Sequence, residues 1–268
     1  IAELYAELGS PIGGTQVPDE WLKRLGALPL LYPPGERFHY SQATDVLGFL
    51  VARVEGKTFG EVLQERIFGP LGMVDTDFWC PPEKRDRMAK LYRLDLATDR
   101  LTDVSFPHID RAQVFEGGGG CLVSTADDYL KFARMMLGKG EIDGVRLLKA
   151  STIEMMCENR LTEAQRQIPF MGLPFWMGQG FGLGVSVVLD PQAQAWMGPS
   201  SKGALSWPGA FGTWWRADPE EDMVAIYLIQ NSMPLGPEAA AQIAASPRMG
   251  GRMALITFLN LVYGALGR

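Results

Sequence analysis

The spacing of apolar residues divides the chain into a helical part and a strand-rich part. In the helical part, apolar residues recur every three or four positions, which is the periodicity of an amphipathic helix. Five helices are predicted in this way: one capped by Asp19, one from about Asp45 to Gly56, one from Thr58 to Met73, one capped by Ser124–Asp127 and ending near Leu137, and one from Ser151 to Met156. Turn residues and alternating apolar positions from Pro81 to Asp110 predict loops and short strands there.

Beyond residue 180 the pattern changes to short runs of apolar residues separated by turns. Four strands are predicted, at 182–189, 203–207, 211–217 and 223–230, with residues 218–222 as the hairpin turn between the last two. A helix from 239 to 266, broken at Pro247 and at the glycine pair 250–251, would cover the sheet. The prediction is a mixed α/β fold in which residues 1–180 form a mainly helical lobe and 181–268 an antiparallel sheet with its C-terminal helix, together one incomplete domain.

Composition and charge exclude several classes of function. The chain has 268 residues and a net charge of −6, so no basic stripe is available for nucleic acid. Three widely spaced cysteines and two histidines (His39 and His108) predict neither a disulfide framework, nor a metal site, nor a Ser-His-Asp triad. No cofactor motif is found. The longest apolar run is too short to cross a bilayer, and the first residues lack the pattern of a signal peptide, which favours the cytoplasm.

Three motifs stand in a recognisable order. The first is Pro34-Gly35-Glu36, followed by Tyr40-Ser41-Gln42 and a helix, and later by Gly69-Pro70-Leu71-Gly72. The second is the run Gly117–Gly120 that leads into Ser124-Thr125-Ala126-Asp127, and the third is Trp207-Pro208-Gly209-Ala210 before Asp218-Pro219-Glu220. In this order the motifs are similar to those of the serine β-lactamase-like family. They resemble most closely its class C-like branch, which includes the family VIII carboxylesterases.

That resemblance implies acyl transfer through a serine, and it assigns roles to individual residues. Tyr40 matches the family's base, and Gln42 stands where the family usually has asparagine. Trp207-Pro208-Gly209 matches a K-T-G-like motif, with tryptophan in place of the lysine that would attract a substrate carboxylate. The Ala210 N–H corresponds to half of an oxyanion hole.

Each assignment has a plainer alternative. Tyr40 could pack beside the proline turn, and Trp207 could be a core aromatic of a strand. The aromatic and methionine side chains at 170–181 could line an acyl or alcohol pocket or fill a core. The glycine run predicts close backbone packing, because no Lys-Ser/Thr follows it as in a phosphate loop.

The family's S-x-x-K motif, which carries the nucleophile and its lysine, is not found. No serine of this chain has lysine three positions later. A tyrosine serving as base near neutral pH needs a nearby cation, and that lysine is the obvious one. We therefore expect a missing N-terminal segment that supplies the serine and the lysine. The expected function is a serine carboxylesterase that cleaves short or medium uncharged esters through an acyl-enzyme. The alternatives are a β-lactamase, a D-amino-acid peptidase or an acyltransferase of the same fold, or a catalytically silent binding protein.

Overall fold

The computed structural model describes residues 7–8, 16–40, 42–95, 98, 100–106, 112–170, 172–232 and 254–267. Two compact units emerge from its contacts. The first consists of residues 1–88 and 106–129, and the second of residues 89–105 and 130–268. The division therefore does not coincide with the predicted boundary at residue 180. No helix in the described part of the chain has the length and hydropathy needed to cross a membrane.

Helices with recognisable end signals build the first unit. They are α1 (Pro18–Gly26), α2 (Ala43–Glu55), α3 (Phe59–Leu63), a π-helical turn (Gln64–Phe68), α4 (Gly69–Leu71) and a 3₁₀ turn (Pro82–Arg87). The Thr58 side chain accepts from the Glu61 N–H while the Glu61 carboxylate accepts from the Thr58 N–H, which caps α3 at both donors. Gly56 and Gly72 end α2 and α4 in the left-handed conformation that glycine adopts without strain.

The start of α1 corrects the prediction that Asp19 caps it. Val17 is the cap residue and Pro18 occupies the first helical position, where a missing N–H costs nothing. Asp19 instead forms an ion pair with Arg53.

An aromatic cluster forms the core of the first unit. The rings of Trp21, Phe49 and Phe115 meet edge to face, with centroid separations of 4.9–6.1 Å. All three side chains are buried, and Leu22 and Leu25 of α1 pack against them. The predicted apolar spacing of α1 is confirmed by this contact.

Helix α2 buries an acidic side chain and exposes several apolar ones. Its buried residues are Asp45, Gly48 and Phe49. Its exposed residues include the outward stripe of α2, which we define as four apolar side chains at helical spacing: Leu47, Leu50, Val51 and Val54, exposed to 57%, 54%, 39% and 75%. An ordinary surface helix would turn such a stripe inward.

The loop after α4 is tied down by charge. Asp75 forms ion pairs with Lys84 and Arg87, both at 2.8 Å. Hydrogen bonds from Arg87 and Lys84 lower the pKa of Asp75 from 3.8 to about 2. The Asp75 N–H in turn donates to Asp128, which is buried.

The second unit contains the sheets. Its central sheet has five antiparallel strands in chain order: β5 (Gln179–Phe181), β6 (Ser186–Val188), β7 (Leu205–Pro208), β8 (Trp214–Asp218) and β9 (Met223–Tyr227). A three-stranded sheet, in the order β10-β1-β2, combines β1 (Tyr92–Asp95), β2 (Arg100–Asp103) and β10 (Asn231–Ser232). A small hairpin joins β3 (Glu141–Ile142) to β4 (Val145–Arg146). The helices are α5 (Ala126–Leu137, which begins in the first unit), α6 (Ala150–Met156), α7 (Glu163–Arg166) and α8 (Ala254–Ala265).

Most predicted strands are confirmed, with one correction. Of the predicted strand 182–189, only residues 186–188 form a strand, β6; residues 182–185 make a turn in which Gly184 has φ +90°, and β5 ends before that turn, at Phe181. The turn at 218–222 is confirmed by the β8–β9 pairing. Helix α8 confirms the end of the predicted C-terminal helix, whereas residues 239–253 lie outside the described residues.

A buried charged network joins β8 to α8. Arg216 and Asp218 are both 0% exposed, and the Tyr263 hydroxyl donates to the Asp218 carboxylate. The Asp218 carboxylate also accepts from the Ser201 N–H at 3.0 Å, and the Arg216 guanidinium lies 4.6 Å from the Trp214 ring centroid. Burial, together with the hydrogen bond to Asp218, raises the pKa of Tyr263 above its ordinary value, so the phenol stays neutral.

Candidate active site

Tyr40 belongs to the first unit and follows a type II turn. The Glu36 N–H donates to the Pro33 carbonyl at 3.2 Å, and Gly35, with φ +84°, occupies the turn position that requires a positive φ. Beyond the turn, the Arg37 guanidinium lies 4.3 Å from the Tyr32 ring centroid. The side chain of Tyr40 is half-buried, three residues before the start of helix α2 at Ala43. Ser41 lies outside the described residues.

Gln42 is the residue that caps α2. Its carbonyl accepts from the N–H groups of Asp45 and Val46 at 3.1 and 3.2 Å, while its side chain makes no capping hydrogen bond. The side-chain amide is half-buried and therefore keeps a donor and an acceptor for another partner. Gln42 thus stands at the N-terminus of α2, where the backbone dipole is positive.

The glycine run packs onto the first turn of α2. The Gly119 N–H donates to the buried Asp45 carboxylate at 2.9 Å. A Cβ on Gly117 would lie 2.6 Å from that carboxylate, and a Cβ on Gly118 would lie 3.1 Å from the Thr44 carbonyl carbon and closer still to its oxygen. These positions admit no side chain, so the prediction of close backbone packing is confirmed. Burial raises the pKa of Asp45, partly offset by its backbone hydrogen bonds.

The same segment is anchored at a second helix. The Glu116 carboxylate accepts from the Gly60 N–H at 2.7 Å, in the first turn of α3. A carboxylate is stabilised there by the free N–H groups and by the helix dipole. Phe115 precedes it in the aromatic core. Residues 115–119 therefore hold α2 and α3 together, and they fix the helix that Gln42 caps.

In the second unit, Trp207, Gly209 and Ala210 lie at the hairpin between β7 and β8. Trp207 pairs with Trp215 in the ladder, and the Gly209 N–H donates to the Thr213 carbonyl at 2.7 Å. A Cβ on Gly209 would collide with the Thr213 side chain, so this turn requires glycine. Ala210 is exposed at the tip of the hairpin.

The half-buried Trp207 ring sits in a cluster of aromatic side chains. Its centroid lies 5.0 Å from Phe181, 5.8 Å from Phe175 and 6.0 Å from Phe170. Trp176 completes the cluster through its contacts with these phenylalanines. The aromatic segment predicted at 170–181 is therefore gathered around Trp207, with Met171 outside the described residues. Phe175 and Trp176 are buried, whereas Phe170, Phe181 and Trp207 are half-buried, so the cluster leaves a partly accessible apolar surface.

The sequence matches a known protein family over most of its length. A protein-family model described as Beta-lactamase matches residues 3–246. The chain belongs to the β-lactamase family. The fold of this β-lactamase-family chain is the mixed α/β fold of β-lactamase and transpeptidase proteins, as its solved neighbours also indicate.

Relatives of known sequence and structure are longer than this chain. Protein Rv1367c of Mycobacterium tuberculosis (strain ATCC 25618 / H37Rv) is 45% identical over 271 residues, which cover 100% of this chain and 66% of the relative. Esterase EstB of Burkholderia gladioli is 28% identical over 215 residues, covering 75% and 51%. The structure of EstCE1, a hydrolase with promiscuous acyltransferase activity, matches with a TM-score of 0.68 at 24% identity, covering 91% of this chain and 62% of that one. The chain thus spans about two thirds of one relative and half of another.

The candidate residues form two local groups, one in each unit. Tyr40 and Gln42 flank the start of α2 in the first unit, and Trp207, Gly209 and Ala210 share one hairpin in the second. Asp45 and Glu116 were not among the predicted site residues. The signal for Asp45 is its position, a single carboxylate inside the apolar stretch of α2. The described residues contain no cluster of histidine, cysteine and carboxylate side chains that could hold a metal ion.

Proposed function

We propose that the whole protein is a serine hydrolase of the carboxylesterase type, acting on short or medium uncharged esters. The observation that supports it is the aromatic cluster around Trp207, at the position where the motif elsewhere carries a cationic lysine. An aromatic surface favours an apolar acyl or alcohol group, whereas it offers no charge partner to the carboxylate of a penicillin-like substrate.

In the proposed reaction the nucleophile is a serine outside these 268 residues. Tyr40 accepts the proton of the serine hydroxyl as its oxygen attacks the ester carbonyl, and the same proton passes to the departing alcohol. The Ala210 N–H stabilises the oxyanion together with an N–H at the serine. Water then attacks the acyl-enzyme carbonyl and loses a proton to Tyr40. The acid departs as the bond to the serine oxygen breaks, and Tyr40 returns that proton to the serine oxygen. A lysine beside the serine would provide the cation that Tyr40 needs to act as a base near neutral pH.

An acyltransferase is the second candidate. EstCE1 is described as a hydrolase with promiscuous acyltransferase activity, and the two reactions differ only in whether water or an alcohol accepts the acyl group. The apolar surface around Trp207 suits a large, apolar alcohol as the acceptor of the acyl group. Competition between water and an added alcohol for the acyl group separates the two candidates.

The test is a matched pair of tyrosine variants of the whole protein, assayed with p-nitrophenyl butyrate. Tyr40→Phe is expected to lower kcat by about 10²–10⁴-fold, because it removes the proton acceptor. Tyr32→Phe changes an exposed tyrosine of the same segment and should leave kcat near the wild-type value. Near-normal turnover by Tyr40→Phe would return Tyr40 to a packing role. The 268-residue chain by itself is expected to show no turnover, since it lacks the S-x-x-K motif.

A further inference from the structure

A cavity of about 290 Å³ lies in the second unit, beside the C-terminal end of α7. It is bordered by Arg166 and by the segment that runs from Ile168 to Gly178. Its size is at the lower end of small-molecule sites, which suits a compact organic molecule rather than a peptide. None of Tyr40, Gln42, Trp207, Gly209 and Ala210 lines it, whereas Trp176 and Met177 belong to the segment 170–181 that was predicted to line a pocket or fill a core.

The polar wall of this cavity is an arginine with no partner in the described part of the chain. Arg160, six residues earlier, pairs with Glu158 at 3.0 Å. The side chain of Arg166, in contrast, makes no ion pair or hydrogen bond with any described residue, and its Nε is buried without an acceptor. A buried donor without an acceptor is unfavourable, and a guanidinium is matched best by a planar anion such as a carboxylate.

Apart from Gln167 and backbone groups, the remaining lining is apolar. Ile168, Pro174 and Met177 line the cavity together with Trp176, which is 2% exposed. Met177 is 47% exposed, so a flexible thioether stands where the cavity meets solvent. The Trp176 ring lies 5.6 Å from Phe170, which in turn lies 6.0 Å from Trp207. The cavity therefore adjoins the aromatic cluster through a shared tryptophan.

We propose that this cavity binds a small molecule that has an apolar body and ends in a carboxylate. Arg166 pairs with the carboxylate, and Trp176, Ile168 and Met177 hold the body. Such a group can come from two sources: the remote end of an ester substrate, or a separate carboxylic acid. The first source rests on the proposed function and extends it from uncharged esters to esters that carry a carboxylate remote from the ester bond; the second source is independent of it.

Binding to the whole protein is measured by calorimetry with 4-phenylbutyrate and with its uncharged amide, 4-phenylbutanamide. The carboxylate is expected to bind about tenfold more tightly than the amide, the size of one charge-assisted hydrogen bond. Arg166→Gln should abolish this preference, and Arg160→Gln, the matched control, should retain it. Met177→Trp, which fills the cavity, should weaken both ligands. Equal affinity of the two ligands for the wild-type protein, or an undiminished preference in Arg166→Gln, overturns the proposal.

Kinetics distinguish the two sources. The substrates are the mono-p-nitrophenyl ester of adipic acid and p-nitrophenyl hexanoate, which share chain length but differ in the terminal charge. If the substrate's remote end occupies the cavity, Arg166→Gln raises KM for the adipate ester about tenfold and leaves the hexanoate unchanged. If a separate acid occupies it, both KM values stay constant while calorimetry still shows the loss. Absence of esterase activity in the wild-type protein would refute the proposed function but leave the calorimetric test intact.

Discussion

Replacing Gly118 by alanine tests whether the glycine run fixes the first turn of α2. The added Cβ would lie 3.1 Å from the Thr44 carbonyl carbon, closer to its oxygen, and 3.5 Å from the Gly48 nitrogen. All three atoms belong to the backbone of a helix, so no side-chain rotation can relieve the contact. The segment and the helix would have to separate, which would stretch the hydrogen bond from Gly119 to Asp45.

The expected cost of Gly118→Ala is the upper part of the range for overpacking, about 3 kcal/mol. For a chain of this size that corresponds to a fall in Tm of about 6–12 °C. The assay is thermal unfolding followed by circular dichroism, with Gly26→Ala as the control. Gly26 ends α1 with nothing within 4 Å of an added Cβ, so its Tm should stay constant or rise slightly. A Gly118→Ala protein whose Tm lies within 1 °C of the wild-type value, a loss of only about 0.3 kcal/mol in stability, would refute the reasoning.

Three further predictions concern buried and paired carboxylates. Asp218→Ala should destabilise the protein by about 3–5 kcal/mol in urea unfolding, because it leaves the Tyr263 hydroxyl and the Ser201 N–H without their acceptor and removes a negative charge that acts on the buried Arg216. Tyr263→Phe, which removes one donor, should cost about 1–3 kcal/mol, and the reverse order would contradict the network. The lowered pKa of Asp75 means that its ion pairs stabilise the fold above pH 3.8 and that this contribution is lost as the pH falls towards 2, so the Tm of Asp75→Asn should approach that of wild type only in acid. The raised pKa of Asp45 has the opposite sign, so wild type loses stability relative to Asp45→Asn as the pH rises from 3.8 through that raised pKa. A Tm difference that is independent of pH in either variant would count against the assigned shift.

Signals close together in the sequence predicted much of the fold. Thr58 and Glu61 form a capping box four residues long, and Gly56 and Gly72 mark helix ends by their freedom to adopt positive φ. The turn at 218–222 is likewise set by its own residues. Such features depend on neighbours along the chain, which the sequence displays directly.

Features that depend on distant partners were missed. The buried face of α2 contains Asp45 and Gly48 because of the glycine run about 70 residues later. The Gly119 N–H donates to the Asp45 carboxylate, and the backbone of Gly118 packs against Gly48, where a side chain would not fit. Apolar spacing predicted the helix but not that Asp45 would face its core while Leu47, Leu50 and Val54 faced outward. The turn at residues 182–185, where a strand was predicted, had a local signal, a glycine on either side of Leu183, but its meaning depended on the positive φ of Gly184.

The candidate site shows the same limit. Motif order identified Tyr40, Gln42 and the hairpin of Trp207, because these residues are recognised by their immediate neighbours. It did not indicate the cavity beside Arg166, since a cavity is formed by the packing of residues around it. The unpaired state of Arg166 is likewise a property of the folded chain, because Glu163 is close in sequence and yet makes no ion pair with it among the described residues.

The outward stripe of α2 has a consequence for how this chain behaves in a test tube. Four exposed apolar side chains on one helical face form a surface that water solvates poorly. Sulfate and other strongly hydrated salts strengthen apolar association, and cooling weakens it. Preparations of the 268-residue chain should therefore be kept cold and free of ammonium sulfate. Leu50→Lys should raise the solubility of the chain.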